Sequence, residues 1–159
     1  MNLQDLLYSA AVDANKNATP MTQGLGVAYQ GQKNVKNVND EYLFCNSFLV
    51  APVTTEGAYS RGVVLPEGNW YDFWSYEKVS GNRTINAAAP ATTIPLYLKS
   101  GAAVAMELPA SMQPTVSMNN QTKYKSLLIT PPDNLTNTTV YDSAEHGITY
   151  TSRYVSEWN

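Results

Sequence analysis

The first candidates for a nucleophile and a general base are Cys45, the only cysteine of the sequence, and His146, the only histidine. A Ser-His-Asp triad or a Cys-His pair needs such groups in hydrogen-bonded contact. Cys45 closes the apolar run that begins at Tyr42, which favours a buried and inert thiol. His146 stands in a polar run before Gly147, which is typical of a solvated turn. A single cysteine also excludes an internal disulfide and a cysteine-based metal site, so we expect no metal and no cofactor.

Carboxylates are the second kind of group with catalytic potential, since a pair can act as proton donor and as base. The candidates lie in predicted loops or at predicted strand ends: Asp40, Glu41, Asp72, Asp142 and Glu145. Such positions favour solvated or capping roles over catalysis. Glu56 and Arg61, which share one predicted loop, could form an ion pair. At the surface that pair would contribute only about 0–1 kcal/mol, so we expect it to order the loop rather than to bind substrate.

An aromatic group, Trp70, Tyr71, Phe73 and Trp74, could stack on the apolar faces of sugar rings or could pack in a core. In a strand, successive side chains alternate between the two faces. Trp70 and Trp74 would then share one face with Asp72, and Tyr71 and Phe73 would share the other. Aromatic side chains on both faces are typical of a strand that is covered on both sides. We therefore favour packing, with about 1.5–3 kcal/mol gained for each buried ring.

Composition narrows the class of protein. The 159 residues carry a formal charge of −3 and include no cluster of Lys and Arg, which argues against nucleic acid as a partner. The longest apolar runs have the length of strands, so we expect no membrane span. The 11 tyrosines, 3 tryptophans and many threonines favour a chain built mainly from β-strands.

The elements that would position these residues begin with a helix over residues 2–15. Its apolar residues recur at helical spacing: Leu3, Leu6, Leu7, Ala10, Ala11 and Ala14. Pro20 ends the helix before Thr19, because the residue before a proline is pushed out of the α region. Residues 21–29 then read as a short strand running into a loop, and residues 30–41 as a polar surface connection.

From residue 42 onward the pattern predicts strands separated by Gly, Pro and Asn turns, which is typical of an antiparallel β-sandwich. Pro66 to Asn69 form one of these turns, and Pro95 suits an edge or bulge position. The predicted strands are 43–53, 62–65, 70–74, 92–99, 102–106, 115–118, 126–130, 138–141 and 148–153. The predicted fold is therefore mainly β, an antiparallel β-sandwich preceded by one amphipathic helix.

Three stretches, Leu49 to Val53, Glu56 to Arg61 and Leu65 to Trp74, resemble glycoside hydrolase family 31 in order and spacing. Ala89-Pro90 followed by Ile94 to Gly101 resembles a further segment of that family. The resemblance assigns structural motif roles, and no catalytic role, to a set of residues: Pro52, Glu56, Gly57, Arg61, Pro66, Gly68, Trp70, Tyr71, Asp72, Phe73, Trp74, Pro95 and Gly101.

The resemblance implies a division of the chain. Residues 1–38 would be the remnant of the end of a (β/α)8 catalytic barrel, residues 39–118 a proximal C-terminal β-sandwich, and residues 119–159 the start of a truncated distal domain. Family 31 enzymes are retaining α-glycosidases whose two catalytic aspartates lie on earlier barrel strands. The resemblance thus implies a C-terminal fragment of an α-glycosidase that is inactive alone and meets carbohydrate substrate only through the missing barrel.

Two alternatives stay open at this point: a carbohydrate-binding β-sandwich module and a purely structural or interaction domain. The predicted helix also has an apolar face for which a barrel would be the natural partner. Without a barrel, the helix could fold back on the sandwich, fray, or pack against another copy of the chain. A self-complementary apolar face suits a two-fold contact, so we expect a homodimer through residues 1–30.

Overall fold

The computed structural model describes residues 3–107, 125–133, 136–141 and 147–152. Within these residues the chain is mainly β, as expected, and every strand pair is antiparallel. The elements are α1 Gln4–Asn17, β1 Thr22–Gly24, α2 Leu25–Ala28, β2 Tyr42–Phe44, β3 Phe48–Val50, β4 Ser60–Leu65, β5 Asn69–Asp72, β6 Lys78–Ser80, β7 Arg83–Ala88, β8 Leu96–Lys99, β9 Ala103–Glu107, β10 Lys125–Ile129, β11 Thr136–Tyr141 and β12 Gly147–Ser152.

Helix α1 runs two residues further than the predicted end at residue 15. The side chain of Asn17 donates a hydrogen bond of 2.6 Å to Asp13, one turn earlier, which supports the last turn. Ala18 then adopts a left-handed conformation with φ 53°, a common way for helices to end. Pro20 follows two residues later, where a helix could not continue.

A six-stranded sheet in the order β1-β2-β3-β8-β5-β6 forms the centre of the molecule. Residues 43–53 were predicted as one strand, but they belong to the hairpin of β2 and β3, in which Phe44 pairs with Phe48. The chain turns at this point because Cys45 and Asn46 both have positive φ, 49° and 53°. Two successive positive φ angles give the tight turn that matches the twist of a two-stranded hairpin.

Each face of this sheet is covered by a separate hydrophobic core. The first, here called the β4–β7 core, joins the sheet to the paired strands β4 and β7: Leu25, Val35, Leu43, Leu49, Ala51, Val63, Leu65, Trp70, Ala87 and Tyr97. The second, the α1 core, joins the opposite face to helix α1 and strand β9: Leu6, Cys45, Phe48, Phe73, Leu98, Ala102 and Val104. Alternation along β3 and β8 sends neighbouring residues into different cores, which confirms a sheet covered on both sides.

The first 38 residues are integrated into these cores. Thr22 in β1 pairs with Phe44 in β2, and Leu25 and Val35 are completely buried in the β4–β7 core. The boundary predicted between residues 38 and 39 therefore runs through a shared core. The origin of residues 1–38 in a barrel stays a prediction.

Helix α1 packs onto its own chain with part of its apolar face. Leu6 is buried in the α1 core, with Leu3 and Ala10 packed against it, whereas Leu7 is 40% exposed. Covering part of the face lowers the cost of exposing it to water. The homodimer through residues 1–30 stays a prediction, which light scattering of the chain and of a Leu7→Asp variant would test.

Other predicted elements need correction. Residues 21–29 contain the predicted short strand, β1, but the short helix α2 stands where a loop was expected. Strands β6 and β7 were not predicted. Pro95 lies just before β8, a central strand, and its carbonyl accepts a hydrogen bond from Ala51 N. It is therefore not an edge or bulge residue.

The predicted strand 115–118 lies outside the described residues. No helix within the described residues is long and apolar enough to cross a membrane.

Candidate functional site

A cleft of about 350 Å³ opens between the loops formed by residues 52–59 and 89–94. Its volume falls in the range of about 300–1,000 Å³ that is usual for small-molecule sites. The residues that line it include Thr55, Thr93 and Tyr59, and the others are Pro, Gly, Ala, Val and Ile residues. None of the residues that line the cleft is charged.

The two loops are held by the strands that flank them. The first connects β3 to β4 and the second connects β7 to β8, and β4 pairs with β7 along its whole length. Ala89 N donates to Tyr59 O at 2.8 Å, which joins the loops where they leave those strands. Within the first loop, Ala58 N donates to Thr55 O and Gly57 has φ 72°, a turn conformation that favours glycine.

Trp74 stands beside the cleft in a fixed orientation. Its indole Nε1 donates to Ile94 O at 2.9 Å, and Ile94 lines the cleft. The ring of Phe73 meets the indole edge-on, with 5.1 Å between ring centroids and 84° between planes. Trp74 nevertheless stays 52% exposed, while Tyr59 is 72% exposed.

The aromatic group predicted to pack is therefore divided by the structure. Trp70 is buried in the β4–β7 core and Phe73 in the α1 core, with Tyr71 packed against the latter, as packing on both faces requires. Trp74 departs from the prediction, because β5 ends at Asp72 and the alternation ends with it. Asp72 instead caps a turn, since its carboxylate accepts hydrogen bonds from Trp74 N and Ser75 N. The capping role predicted for this acid is confirmed.

Arg61 does not pair with Glu56, and the structure corrects that prediction. Its guanidinium contacts Asp40 at 2.8 Å and Glu41 at 3.1 Å, and it also donates to the carbonyl oxygens of Asp40, Pro52 and Gly62. The partners come from positions that are far apart in the chain, so residue spacing gave no signal for them. We call this set the Arg61 clamp.

The Arg61 clamp holds a buried carboxylate at the start of β2. The Glu41 side chain is 1% exposed and accepts hydrogen bonds from Arg61 and, through both oxygens, from Val64 N. Burial raises the pKa of Glu41, and the hydrogen bond from Val64 and the charge of Arg61 oppose that shift only in part. Asp40 and Glu41 are thus tied to one cation, and neither lines the cleft.

The turn predicted from Pro66 to Asn69 is confirmed, and it is tied to the strand pair β5–β6. Pro66 O accepts hydrogen bonds from the indole of Trp70 and from Asn82 N, and Gly68 adopts φ 113°. Gly101 has φ 77° in the turn between β8 and β9. Pro66, Gly68 and Gly101 therefore lie in turns that connect strands of the fold.

Among the candidates that the structure describes, the side chains form no catalytic constellation. Cys45 is buried, as expected, and burial raises the pKa of its thiol to about 11, which keeps it unreactive near neutrality. Asp142, Glu145 and His146 lie outside the described residues. Among residues that are described, no group of three His, Cys, Asp or Glu side chains could hold a metal ion. The residues that line the cleft supply no pair of carboxyls for acid and base chemistry.

Comparison with known proteins gives a consistent assignment. Residues 18–104 match the model of the "Glycosyl hydrolase family 31 C-terminal domain". The chain is 32% identical over 128 residues to the isomaltosyltransferase of Sporosarcina globispora, covering 80% of this chain and 12% of that protein. It is 31% identical over 100 residues to alpha-glucosidase 2 of Bacillus thermoamyloliquefaciens, covering 63% of this chain and 13% of that protein.

Solved structures of the family have the same fold over nearly all of the chain. The cycloalternan-forming enzyme of Listeria monocytogenes matches with a TM-score of 0.81 and 28% identity, covering 94% of this chain and 14% of that one. A dextranase of Flavobacterium johnsoniae, complexed with isomaltotriose, matches with a TM-score of 0.77 and 27% identity. The match covers 96% of this chain and 20% of the dextranase chain. The chain therefore spans only a small share of its relatives. Because the family match covers more than half of its residues, the chain belongs to glycoside hydrolase family 31 and contains the C-terminal domain of these carbohydrate-processing enzymes.

Proposed function

We propose that this chain is a non-catalytic C-terminal part of a family 31 enzyme and that it supports the enzyme's catalytic barrel. The observation that carries the proposal is the match of residues 18–104 to the family's C-terminal domain. The cleft adds support, because its lining contains no carboxylate, whereas retaining glycosidases need two carboxyls beside the scissile bond.

The enzyme as a whole would act on α-linked glucosides. Its relatives include an isomaltosyltransferase together with two enzymes named as alpha-glucosidases and one named as an alpha-xylosidase. Both glycosyl transfer and hydrolysis occur among them, so the proposal covers the substrate class and leaves the acceptor open.

The support would come from the two-sided sheet. Residues 1–38, as the end of a barrel, would link the barrel to this sheet through β1 and through Leu6 and Leu25, each buried in one of the two cores. The Arg61 clamp would hold β4 against the start of β2 and so fix the β4–β7 pair on the six-stranded sheet. A barrel packed here would then meet a rigid surface, since close-packed cores deform little.

An activity assay tests the first part of this proposal. The purified chain should release no nitrophenol from aryl α-glucosides or aryl α-xylosides, because hydrolysis with retention requires both carboxyls. A sample with proven folding and no contaminating glycosidase that turned over either substrate would refute the non-catalytic role.

A chimaera tests the supporting role. The matched segment of the Sporosarcina globispora isomaltosyltransferase would be replaced by the corresponding 128 residues of this chain, with deletion of the segment as the control. We expect the chimaera to be soluble and active and the deletion to be insoluble or inactive. An active, equally thermostable deletion variant would contradict the proposal.

A further inference from the structure

The cleft between residues 52–59 and 89–94 has the properties of a site for an uncharged ligand. Its lining carries no charge, so it offers no attraction to phosphate, carboxylate or ammonium groups. Thr55 and Thr93 supply hydroxyl groups that can donate and accept hydrogen bonds. A ligand with many hydroxyl groups and apolar C–H faces matches this combination of polar and apolar atoms.

The aromatic side chains beside the cleft are placed for stacking. Trp74 is fixed by its hydrogen bond to Ile94 O and by the edge of Phe73, yet half of its surface is exposed. A ring that is already immobilised loses little conformational entropy when a ligand stacks on it. Tyr59, in the cleft lining, is also largely exposed. Core packing explains neither exposed ring, although it explains Trp70 and Phe73.

We propose that this cleft, together with Trp74, binds a neutral α-linked gluco-oligosaccharide. The sugar class rests on the proposed function, whereas the neutrality and the stacking rest on the cleft itself. Because no carboxylate lines the cleft, such a site would hold an oligosaccharide without cleaving it.

Binding of isomaltotriose and maltotriose to the full chain, measured by calorimetry and by tryptophan fluorescence, tests the proposal. We expect a dissociation constant of about 1 mM or lower for at least one of them. The Trp74→Ala variant should bind about tenfold more weakly, as the loss of one stacked ring implies. Trp74→Phe, which keeps a ring but loses the hydrogen bond to Ile94, should bind with intermediate affinity.

Two further variants keep the result interpretable. Tyr59→Ala removes a ring that is mostly in solvent, so it should weaken binding without changing the melting temperature. Val27→Ala, which truncates an exposed side chain on α2 outside the cleft lining, should bind as the parent chain does.

Three results would overturn the proposal. The first is no binding of either sugar at about 20 mM, well above the expected dissociation constant. The second is undiminished binding by folded Trp74→Ala and Tyr59→Ala. The third is self-association of the chain that Trp74→Ala abolishes, which would assign the surface to a second copy. None of these results bears on the absence of hydrolysis, so the two proposals fail separately.

Discussion

The guanidinium of Arg61 lies 3.1 Å from the carboxylate of Glu41, and both side chains are nearly inaccessible to water, at 11% and 1% exposed. This buried ion pair joins the beginning of β2 to β4 across 20 residues of sequence. A buried pair contributes little net stability when both partners are present, but losing one partner leaves a costly unpaired charge.

Arg61→Ala should therefore lower the free energy of unfolding by about 3–5 kcal/mol, because Glu41 would stay buried without its cation. Urea denaturation would measure the loss. Glu56→Ala is the matched control: Glu56 is exposed and forms no ion pair with Arg61, so its removal should change stability by less than about 0.5 kcal/mol. Equal losses in both variants would contradict this account.

Trp70 and Trp74 should respond differently to truncation. Trp70→Ala removes a fully buried ring and its hydrogen bond to Pro66 O, so we expect a loss of about 3–5 kcal/mol. Trp74→Ala removes a half-exposed ring and should cost less than about 1 kcal/mol. Thermal unfolding of both variants would measure the difference, and a similar fall in melting temperature would argue that Trp74 also belongs to a core.

Gly81 is required by close backbone contact. A Cβ atom at this position would lie 1.8 Å from Pro66 O, the acceptor for both Trp70 and Asn82. Gly81→Ala should therefore destabilise the chain by at least about 2 kcal/mol, since the backbone at residue 81 or the backbone of Pro66 and Gly68 would have to move. Gly24→Ala meets no atom within 4 Å and should be neutral or stabilising by about 0.4–1 kcal/mol. Denaturant midpoints would compare the two, and a tolerated Gly81→Ala would show that the turn can relax.

Stability should fall in alkaline solution. Burial raises the pKa of Cys45 to about 11 and the pKa values of Tyr29 and Tyr97 to about 12. The unfolded chain therefore releases these protons first, so the folded state is fully favoured below about pH 9 and loses stability as pH rises towards 11–12. Urea midpoints measured between about pH 7 and 10.5 would show the decline.

Cys45→Ala should make that alkaline decline less steep, because one of the three groups is removed. The comparison concerns the slope against pH, since the truncation also lowers stability at every pH. An identical slope for the parent and the variant would show that Cys45 does not contribute to it.

Sequence alone determined the class of structure and the family. Period and turn signals predicted α1, β4, β5 and the Pro66 turn, because these depend on local geometry and on residues close in the chain. The motifs between residues 49 and 101 indicated the family because their order and spacing survive in a single chain. Burial of Cys45 and Trp70 also followed from their apolar surroundings.

Only the tertiary structure decided which residues act together. The run 43–53 carries the same apolar pattern whether it is one strand or a hairpin, and two positive φ angles at Cys45 and Asn46 made it a hairpin. Arg61 contacts Asp40 and Glu41 rather than Glu56 because the β4–β7 pair packs on the six-stranded sheet, which brings β4 close to the start of β2. The spacing of these residues in the sequence does not predict that contact. Trp74 became exposed for a similar reason, since the end of β5 at Asp72 releases it from the alternation that buries its neighbours.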